Sequence, residues 1–213
     1  MAGRRITDIS MTLQEPMRGF RKSVAKTLQQ DGWNASTLEI YSHAGTHMDA
    51  PLHFEAGETT IDTIPAERLV CMCHIVRIQE CAPGMLLTIE HLGPVAQSIQ
   101  PGEGLIFHTG WSQFAGDPGM YRDQLPRISE QLARWMVAEK INIVGVEPPS
   151  VADVNNLEEL QSVHRILMEG NVLILEGVCN LENVRVDHVQ LVALPLKISG
   201  GDGAPVRAVV IES

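Results

Sequence analysis

Three histidines and one aspartate lie within eleven residues of this chain, at positions 43–53. The segment reads His-Ala-Gly-Thr-His-Met-Asp-Ala-Pro-Leu-His. Gly45 and Pro51 are unfavourable inside a helix, so we expect the segment to be a loop that follows a strand. This loop constrains the fold, because the strands around it must hold its histidines and its aspartate close together.

The side chains of this segment are those that bind transition metals. Imidazole nitrogen and carboxylate oxygen are ligands for Zn²⁺, Mn²⁺ and Fe²⁺. Gly45 allows a tight backbone turn that lets His43 and His47 converge on one ion. Asp49 has two oxygens and can bind one ion or bridge two. Three protein ligands would leave an open position for water, as in catalytic sites. The alternative interpretation is a polar turn with surface histidines.

His53 stands at the far edge of the segment. A bound ion would lower the pKa of its water and supply hydroxide near neutral pH. The ordinary imidazole pKa of ~6.5 suits His53 to proton transfer in the same pH range. The alternatives for His53 are a fourth metal ligand or a residue that orients the ligands.

Composition excludes several classes of protein. The 213 residues suit a single domain over residues 1–213. A formal net charge of −10 argues against binding to nucleic acid or to anionic membranes. No apolar run approaches the ~18–20 residues that span a bilayer, and no apolar stretch follows the first basic residues as in a secretory signal. The expected location is the cytoplasm, where the four cysteines would be reduced.

The rest of the chain alternates between strand-like and helix-like patterns. Apolar runs predict strands at residues 5–10, 36–43, 70–78, 104–109, 142–147, 172–176, 191–198 and 205–211. Helices are predicted over 130–140, with Ser129 as N-cap, and from Asn156 to Gly170. Residues 17–35 are expected to be a helix or a mobile loop, the strand at 36–43 to be half-buried, and residues 199–203 to be a turn. The interleaved elements favour an α/β or α+β class.

Four further residues are notable for their positions in these elements. His164 lies on the apolar face of the second helix, where a histidine is either a satisfied core residue or a ligand. Glu176 closes an apolar strand, where a carboxylate is costly unless it is paired; it is otherwise an exposed residue at a strand end. His74 is expected to be buried and hydrogen-bonded, and His188 to be a surface or capping residue.

The segment at 43–54, which ends in His-Phe, resembles the signature of the cyclase family. That family includes bacterial kynurenine formamidases and isatin hydrolase-like enzymes. Eight positions match in a fixed order: His43, Gly45, Thr46, His47, Asp49, Pro51, His53 and Phe54. The segment 145–150 also resembles the family, in which an Asp often stands at the position of Glu147. The resemblance runs from about residue 5 to the C-terminus.

The resemblance implies a mixed α/β fold, namely a compact β/β/α swivelling-type domain with a central mixed sheet, usually in homodimers or homotetramers. The metal ligands it implies are His43, His47, Asp49, His164 and Glu176. The first three would hold one ion, and Asp49 and Glu176 would bridge to a second ion that His164 completes. The cofactor would be one or two divalent ions per chain, with Zn²⁺ or Mn²⁺ favoured and Fe²⁺ compatible.

The function implied is metal-dependent hydrolysis of a small amide, lactam or ester, on carbon–nitrogen bonds other than peptide bonds. Hydroxide generated at the metal would attack the substrate carbonyl, and His53 would protonate the leaving group. Kynurenine formamidases carry an early Trp-Pro-Gly-like segment, whereas residues 11–20 of this chain contain no Trp. This departure leaves the substrate open. Two alternatives are a metal-dependent cyclase or dehydratase of a small carbonyl compound and a non-catalytic metal-binding protein.

Overall fold

The computed structural model describes residues 4–212, so residues 1–3 and 213 of the predicted domain lie outside the described residues. The strands are β1 (Arg5–Asp8), β2 (Phe20–Lys26), β3 (Ala35–Ile40), β4 (His47–Asp49), β5 (Val70–Arg77), β6 (Leu86–Leu87), β7 (Gly104–His108), β8 (Arg127–Ile128), β9 (Ile143–Val146), β10 (Leu173–Glu176), β11 (His188–Pro195) and β12 (Gly203–Glu212). The α-helices are α1 (Leu28–Asp31), α2 (Val95–Ser98), α3 (Pro118–Tyr121), α4 (Glu130–Ala138) and α5 (Leu157–Glu169).

A single mixed sheet closes on itself at the centre of the fold. Its strand order is β1-β12-β11-β5-β7-β9-β10-β4, and β12 also pairs with β4. Strands β5, β7, β9 and β10 are parallel neighbours, and the other pairings are antiparallel. The predicted mixed α/β fold with a central mixed sheet is confirmed. Closure into a barrel was not predicted; it is possible because β12 has ten residues and pairs first with β4 and then with β1.

Two hydrophobic cores lie on opposite faces of this sheet. One contains residues from each strand that closes the barrel, from β12 through β11, β5, β7, β9 and β10 to β4, including Met48 of β4. The other joins the outer face of the sheet, including Ile174, to helices α4 and α5, including Leu167. Neighbouring residues of a strand point to opposite faces, so His47 and Asp49 point away from Met48 and toward α5.

Helices α4 and α5 begin at the predicted caps. The Ser129 side chain accepts a hydrogen bond from the Leu132 amide, and the Asn156 side chain accepts one from the Glu159 amide. Each cap satisfies a backbone donor that the first turn of a helix leaves free. Helix α5 buries His164 on the side that faces the barrel. None of the helices in the described part of the chain is both long and apolar enough to cross a bilayer.

The prediction for residues 17–35 was wrong over most of its length. Residues 20–26 form β2, which pairs with β3 as a separate antiparallel hairpin, and only the four residues of α1 are helical. The strand β3 is also mostly exposed rather than half-buried, since Leu38 is 52% exposed. The alternation of β3 is real, but within residues 4–212 neither hairpin strand pairs with the barrel sheet.

Candidate metal centre

The six residues predicted for the site lie together on the outer face of the barrel, beside α5. Two of them are in β4, one ends β10, one is in α5, and two flank β4 in the chain; they are His47, Asp49, Glu176, His164, His43 and His53. The antiparallel register of β4 and β10 sets His47 opposite Glu176. Long-range strand pairing therefore supplies the distal acid that the segment at 43–53 lacks.

The loop before β4, which contains Gly45 and Thr46, closely approaches the end of β10 at Gly177. This residue has a φ of 68°, and a Cβ built on it would lie 2.5 Å from the Gly45 carbonyl oxygen. The Thr46 hydroxyl donates a hydrogen bond to the Gly177 carbonyl at 2.5 Å. Glycine at this position lets the two segments meet, which holds Glu176 beside the motif.

Four of these side chains form a closely packed group. His47 Nε2 lies 3.1 Å from Glu176 Oε2 and 3.6 Å from Asp49 Oδ1. His164 Nε2 lies 3.4 Å from Glu176 Oε1 and 3.7 Å from Asp49 Oδ2. Donor atoms that share one ion at bond lengths of ~2.0–2.2 Å are separated by similar distances. Each of the four residues is at most 3% exposed, so water screens their charges poorly.

The hydrogen bonds of the two buried imidazoles fix which nitrogen faces the carboxylates. His47 Nδ1 donates to the Gly45 carbonyl at 2.9 Å, and His164 Nδ1 donates to the Leu160 carbonyl at 2.7 Å. A carbonyl oxygen only accepts, so the proton of each neutral ring is on Nδ1. The Nε2 lone pairs are thereby directed at the group, as is usual for histidines that bind metal.

Asp49 provides the test of whether these residues suit a cation. Its Oδ2 is fully buried and has no hydrogen-bond partner, and it is the only such side-chain atom within residues 4–212. A buried carboxylate oxygen without a partner is costly unless a positive charge compensates it. Two carboxylates and two oriented imidazoles therefore fit a divalent metal ion.

A second group shares Asp49. His43 Nδ1 lies 2.8 Å from Asp49 Oδ1, and His43 Nε2 lies 3.0 Å from Asp202 Oδ2. His53 stacks on His43 with ring centroids 3.9 Å apart, and its Nδ1 lies 3.5 Å from Asp202 Oδ2. The grouping differs from the predicted one, because His47 lies with Glu176 whereas His43 lies with His53.

Asp202 was not predicted as a site residue, because residues 199–203 were interpreted only as a turn. This carboxylate reaches His43 because β12 pairs with β4 at Gly203. A Cβ built on Gly203 would lie 2.7 Å from His43 Cε1, so the ring rests directly on the first residue of β12. The available signal was an acid among glycines ahead of a strand, and its importance depends on a pairing between distant segments.

The pKa of His43 gives a testable pH dependence of stability. Burial lowers this pKa, but Asp49 and Asp202 more than compensate and raise it from 6.5 to about 9. The protonated ring therefore stabilises the metal-free fold fully below about pH 6.5, and this contribution is lost as the pH rises toward 9. We expect the unfolding free energy of EDTA-treated protein to fall by up to about 3 kcal/mol across this range.

Urea unfolding of the metal-free protein between pH 6.5 and 9 measures this effect. The variant His43→Gln removes one of the titrating rings and should make the profile less steep. His47 and His164 act in the same direction: burial lowers their pKa values, but Glu176 and Asp49 raise them above the ordinary value. A wild-type profile that rises over this range would contradict the assignment.

Glu147 is buried close to the site but belongs to neither group. Its carboxylate accepts hydrogen bonds from the Thr109 amide at 2.6 Å, from the Trp111 amide at 3.2 Å and from the Ser112 hydroxyl at 2.7 Å. The Tyr121 hydroxyl donates to the Glu147 backbone carbonyl at 2.7 Å. The carboxylate thus organises the loop that follows β7.

Known proteins are similar to this chain in sequence and in fold. The sequence model of the Cyclase family matches residues 7–153. The kynurenine formamidase of Salinibacter ruber is 31% identical over 177 residues, which are 83% of this chain and 79% of that protein. The kynurenine formamidase of Bordetella avium is 29% identical over 179 residues, 84% of this chain and 81% of that protein.

Solved structures with a similar fold belong to enzymes described as hydrolases. Isatin hydrolase A from Ralstonia solanacearum superposes with a TM-score of 0.88 at 22% identity, over 99% of this chain and 92% of that one. A protein described as "predicted metal-dependent hydrolase from Bacillus stearothermophilus" superposes with a TM-score of 0.78 at 25% identity, over 100% of both chains.

Proposed function

This chain belongs to the cyclase family, and from that premise we propose that it is a metal-dependent hydrolase of a small amide or lactam. The bond cleaved is a carbon–nitrogen bond other than a peptide bond, as the kynurenine formamidase and isatin hydrolase relatives support. The observation that carries the proposal is the buried convergence of His47, Asp49, His164 and Glu176 around an unpartnered carboxylate oxygen.

We assign the ligands from these contacts. His47, Asp49, His164 and Glu176 would hold one divalent ion, and His43 with Asp49 would border a second. When bound, such ions polarise a substrate carbonyl, stabilise the negative charge that develops on its oxygen and lower the pKa of water. Mixed imidazole and carboxylate donors support Zn²⁺ or Mn²⁺ as the ion.

His53 is the residue to which we assign proton transfer. Burial, together with the charges of His43 and His164, lowers the pKa of His53 below its ordinary value although Asp49 opposes the shift. The ring is therefore neutral at pH 7 and can accept a proton from water. The protonated ring can then donate that proton to the departing nitrogen. Its side chain is 26% exposed, so it lies at the accessible edge of the otherwise buried group.

Asp202 is proposed as a positioning residue. Its carboxylate lies within 3.5 Å of ring nitrogens of both His43 and His53. A carboxylate that binds the remote nitrogen of a metal-binding histidine fixes the orientation of the ring and raises its basicity. In this way the turn before β12 sets the orientation of two imidazoles at the site.

We expect Asp202→Asn to weaken metal binding or to lower kcat by about 10–100-fold, because the variant keeps the shape but loses the charge. Metal titration and hydrolysis assays measure the two effects separately. The matched control is Asp187→Asn, since the Asp187 side chain is exposed and pairs with Arg77. Wild-type metal affinity and kcat in Asp202→Asn would contradict the positioning role.

The nearest aromatic side chains support an aryl amide or lactam as substrate. The Phe54 ring lies 4.5 Å from the His53 ring and 4.2 Å from the His164 ring, measured between centroids. The Tyr41 ring lies 5.6 Å from the His43 ring. Residues 11–20 replace the Trp-Pro-Gly-like segment of the kynurenine formamidases. In this segment the Leu13 side chain packs beside Gly45, in the loop before β4. We therefore propose a substrate that stacks on Phe54 or Tyr41.

A panel of compounds tests the proposed reaction. Protein loaded with Zn²⁺ or Mn²⁺ is incubated with formanilide, with isatin as a lactam and with a matched aryl ester. Mass spectrometry then identifies the products, because hydrolysis adds the elements of water, whereas dehydration removes them and cyclisation does not add them. Turnover of an amide or lactam that EDTA abolishes supports the proposal. No turnover of any of these compounds by metal-loaded protein would refute it.

Two further properties of the chain are proposed. We propose a homodimer or homotetramer, which is supported by the exposed apolar side chains of the β2–β3 hairpin, Val24, Trp33 and Leu38. We also propose a cytoplasmic location, which is supported by four cysteines that are all free thiols.

A further inference from the structure

A second cluster of potential metal ligands lies away from the site described above. It consists of His74 in β5, His188 in β11 and Glu103, the residue before β7. His74 and His188 are direct partners in the antiparallel pairing of β5 with β11. The parallel pairing of Cys73 with Gly104 brings Glu103 beside His74 from the other side. Three adjacent strands thus converge on one patch of the outer surface.

The donor atoms of this cluster are already close together. His74 Nε2 lies 3.1 Å from Glu103 Oε2, and His188 Nε2 lies 2.9 Å from Glu103 Oε1. The two imidazoles stack with ring centroids 4.5 Å apart and an interplanar angle of 29°. The three donor atoms lie within 4.8 Å of one another. Donors around one zinc ion at ~2.0–2.2 Å have comparable separations, so a small displacement would be enough to bind it.

The surroundings of the cluster also suit an ion. The Gln100 amide donates to Glu103 Oε2 at 2.9 Å and so fixes the carboxylate between the two rings. The side chains of His74 and Glu103 are mostly buried, whereas His188 is 49% exposed. A rigid, partly buried pair beside an accessible third ligand leaves a path for entry and a position for water. Two histidines and one glutamate are also an established ligand set for Zn²⁺.

We propose that His74, Glu103 and His188 form a separate zinc site that links β5, β7 and β11 on the outer surface of the barrel. Binding at this site would stabilise the folded state, because the ligands are brought together only when the three strands pair. The inference does not depend on the proposed hydrolase function, since none of its residues belongs to the central groups.

Equilibrium dialysis against ZnCl₂, followed by metal analysis, tests the proposal. We compare wild type with His188→Gln and Glu103→Gln, which alter different segments of the chain and keep the side chain similar in size. The matched control is His108→Gln, because His108 lies at the other end of β7 and contacts Arg77. Wild type and the control should bind one more Zn²⁺ per chain than either cluster variant. Zn²⁺ should also raise the melting temperatures of wild type and the control more than those of the two cluster variants.

Circular dichroism verifies that the variants fold, and formanilide hydrolysis by all four proteins verifies that the central site is unchanged. If the hydrolase proposal failed, all four proteins would lack turnover while the difference in zinc stoichiometry persisted. If His188→Gln and Glu103→Gln bound as many zinc ions as wild type, the proposed site would be refuted, because each variant removes one of its three ligands.

Discussion

Replacing Asp49 with asparagine is expected to weaken metal binding at the central site and to lower kcat by at least about 10³-fold. Asp49 is the residue shared by both groups of the site: its Oδ1 lies 2.8 Å from His43 Nδ1, and its Oδ2 lies 3.7 Å from His164 Nε2. Asparagine keeps the shape of the side chain but removes the negative charge. Each group then has one carboxylate fewer to compensate the charge of a buried divalent ion.

The same substitution should change the metal-free protein as well. Burial raises the pKa of Asp49, but His43, His47 and His164 more than compensate and hold it well below its ordinary value. Its charge is therefore present throughout the neutral range and keeps the His43 ring protonated. Without it, the pKa of His43 should fall, and the loss of stability between pH 6.5 and 9 should diminish.

Metal analysis and hydrolysis assays on Asp49→Asn check the prediction, with Asp187→Asn as the control carboxylate. The control should retain wild-type metal content, because the Asp187 side chain is 65% exposed and lies outside both groups. An Asp49→Asn protein that kept its metal and hydrolysed the substrate at a wild-type rate would overturn the assignment of the central site.

The second large effect is expected for His53→Ala, which should lower kcat by about 10²–10⁴-fold while the metal content stays unchanged. Alanine removes the only proton carrier that we assign, but it leaves the central ligands His47, Asp49, His164 and Glu176 in place. The ring that is removed is partly exposed at the edge of the site, so free imidazole can reach the space that the ring leaves. Added imidazole should therefore restore part of the activity.

The control for this experiment is His108→Ala, which should show wild-type activity and no response to imidazole. Measuring the metal content also separates proton transfer from a ligand role, since His53 lies beside His43 and Asp49 in the second group. Loss of metal together with activity would indicate a ligand. Undiminished activity of His53→Ala would eliminate the proton-transfer role.

Local sequence signals predicted the parts of the fold that depend on neighbouring residues. The Ser129 and Asn156 caps begin α4 and α5 because a polar side chain at the N-cap satisfies nearby backbone amides wherever the rest of the chain lies. The segment 43–53 was recognisable for the same reason, since its ligands are close in sequence. The apolar face of α5 also placed His164 toward the barrel.

Features that depend on pairing between strands far apart in the sequence could not be predicted from local signals. The closure of the barrel, the inclusion of Asp202 and the division of the ligands into two groups all follow from the pairing of β4 with β10 and β12. The exposure of Leu38 likewise follows from the isolation of its hairpin from the barrel sheet. Periodicity identifies a strand but does not identify its partner, because pairing is decided by packing across the whole chain.

The pairing of β12 with β4 has a consequence for the order of events during translation. His43 emerges from the ribosome 159 residues before Asp202, its carboxylate partner. At ~5–20 residues per second, the histidine-rich loop waits roughly 10–30 s for that partner. Until then the nascent chain offers imidazoles without their full complement of acids. We therefore expect a metal ion to bind late in biogenesis, after the ribosome has released β12, the strand that closes the barrel.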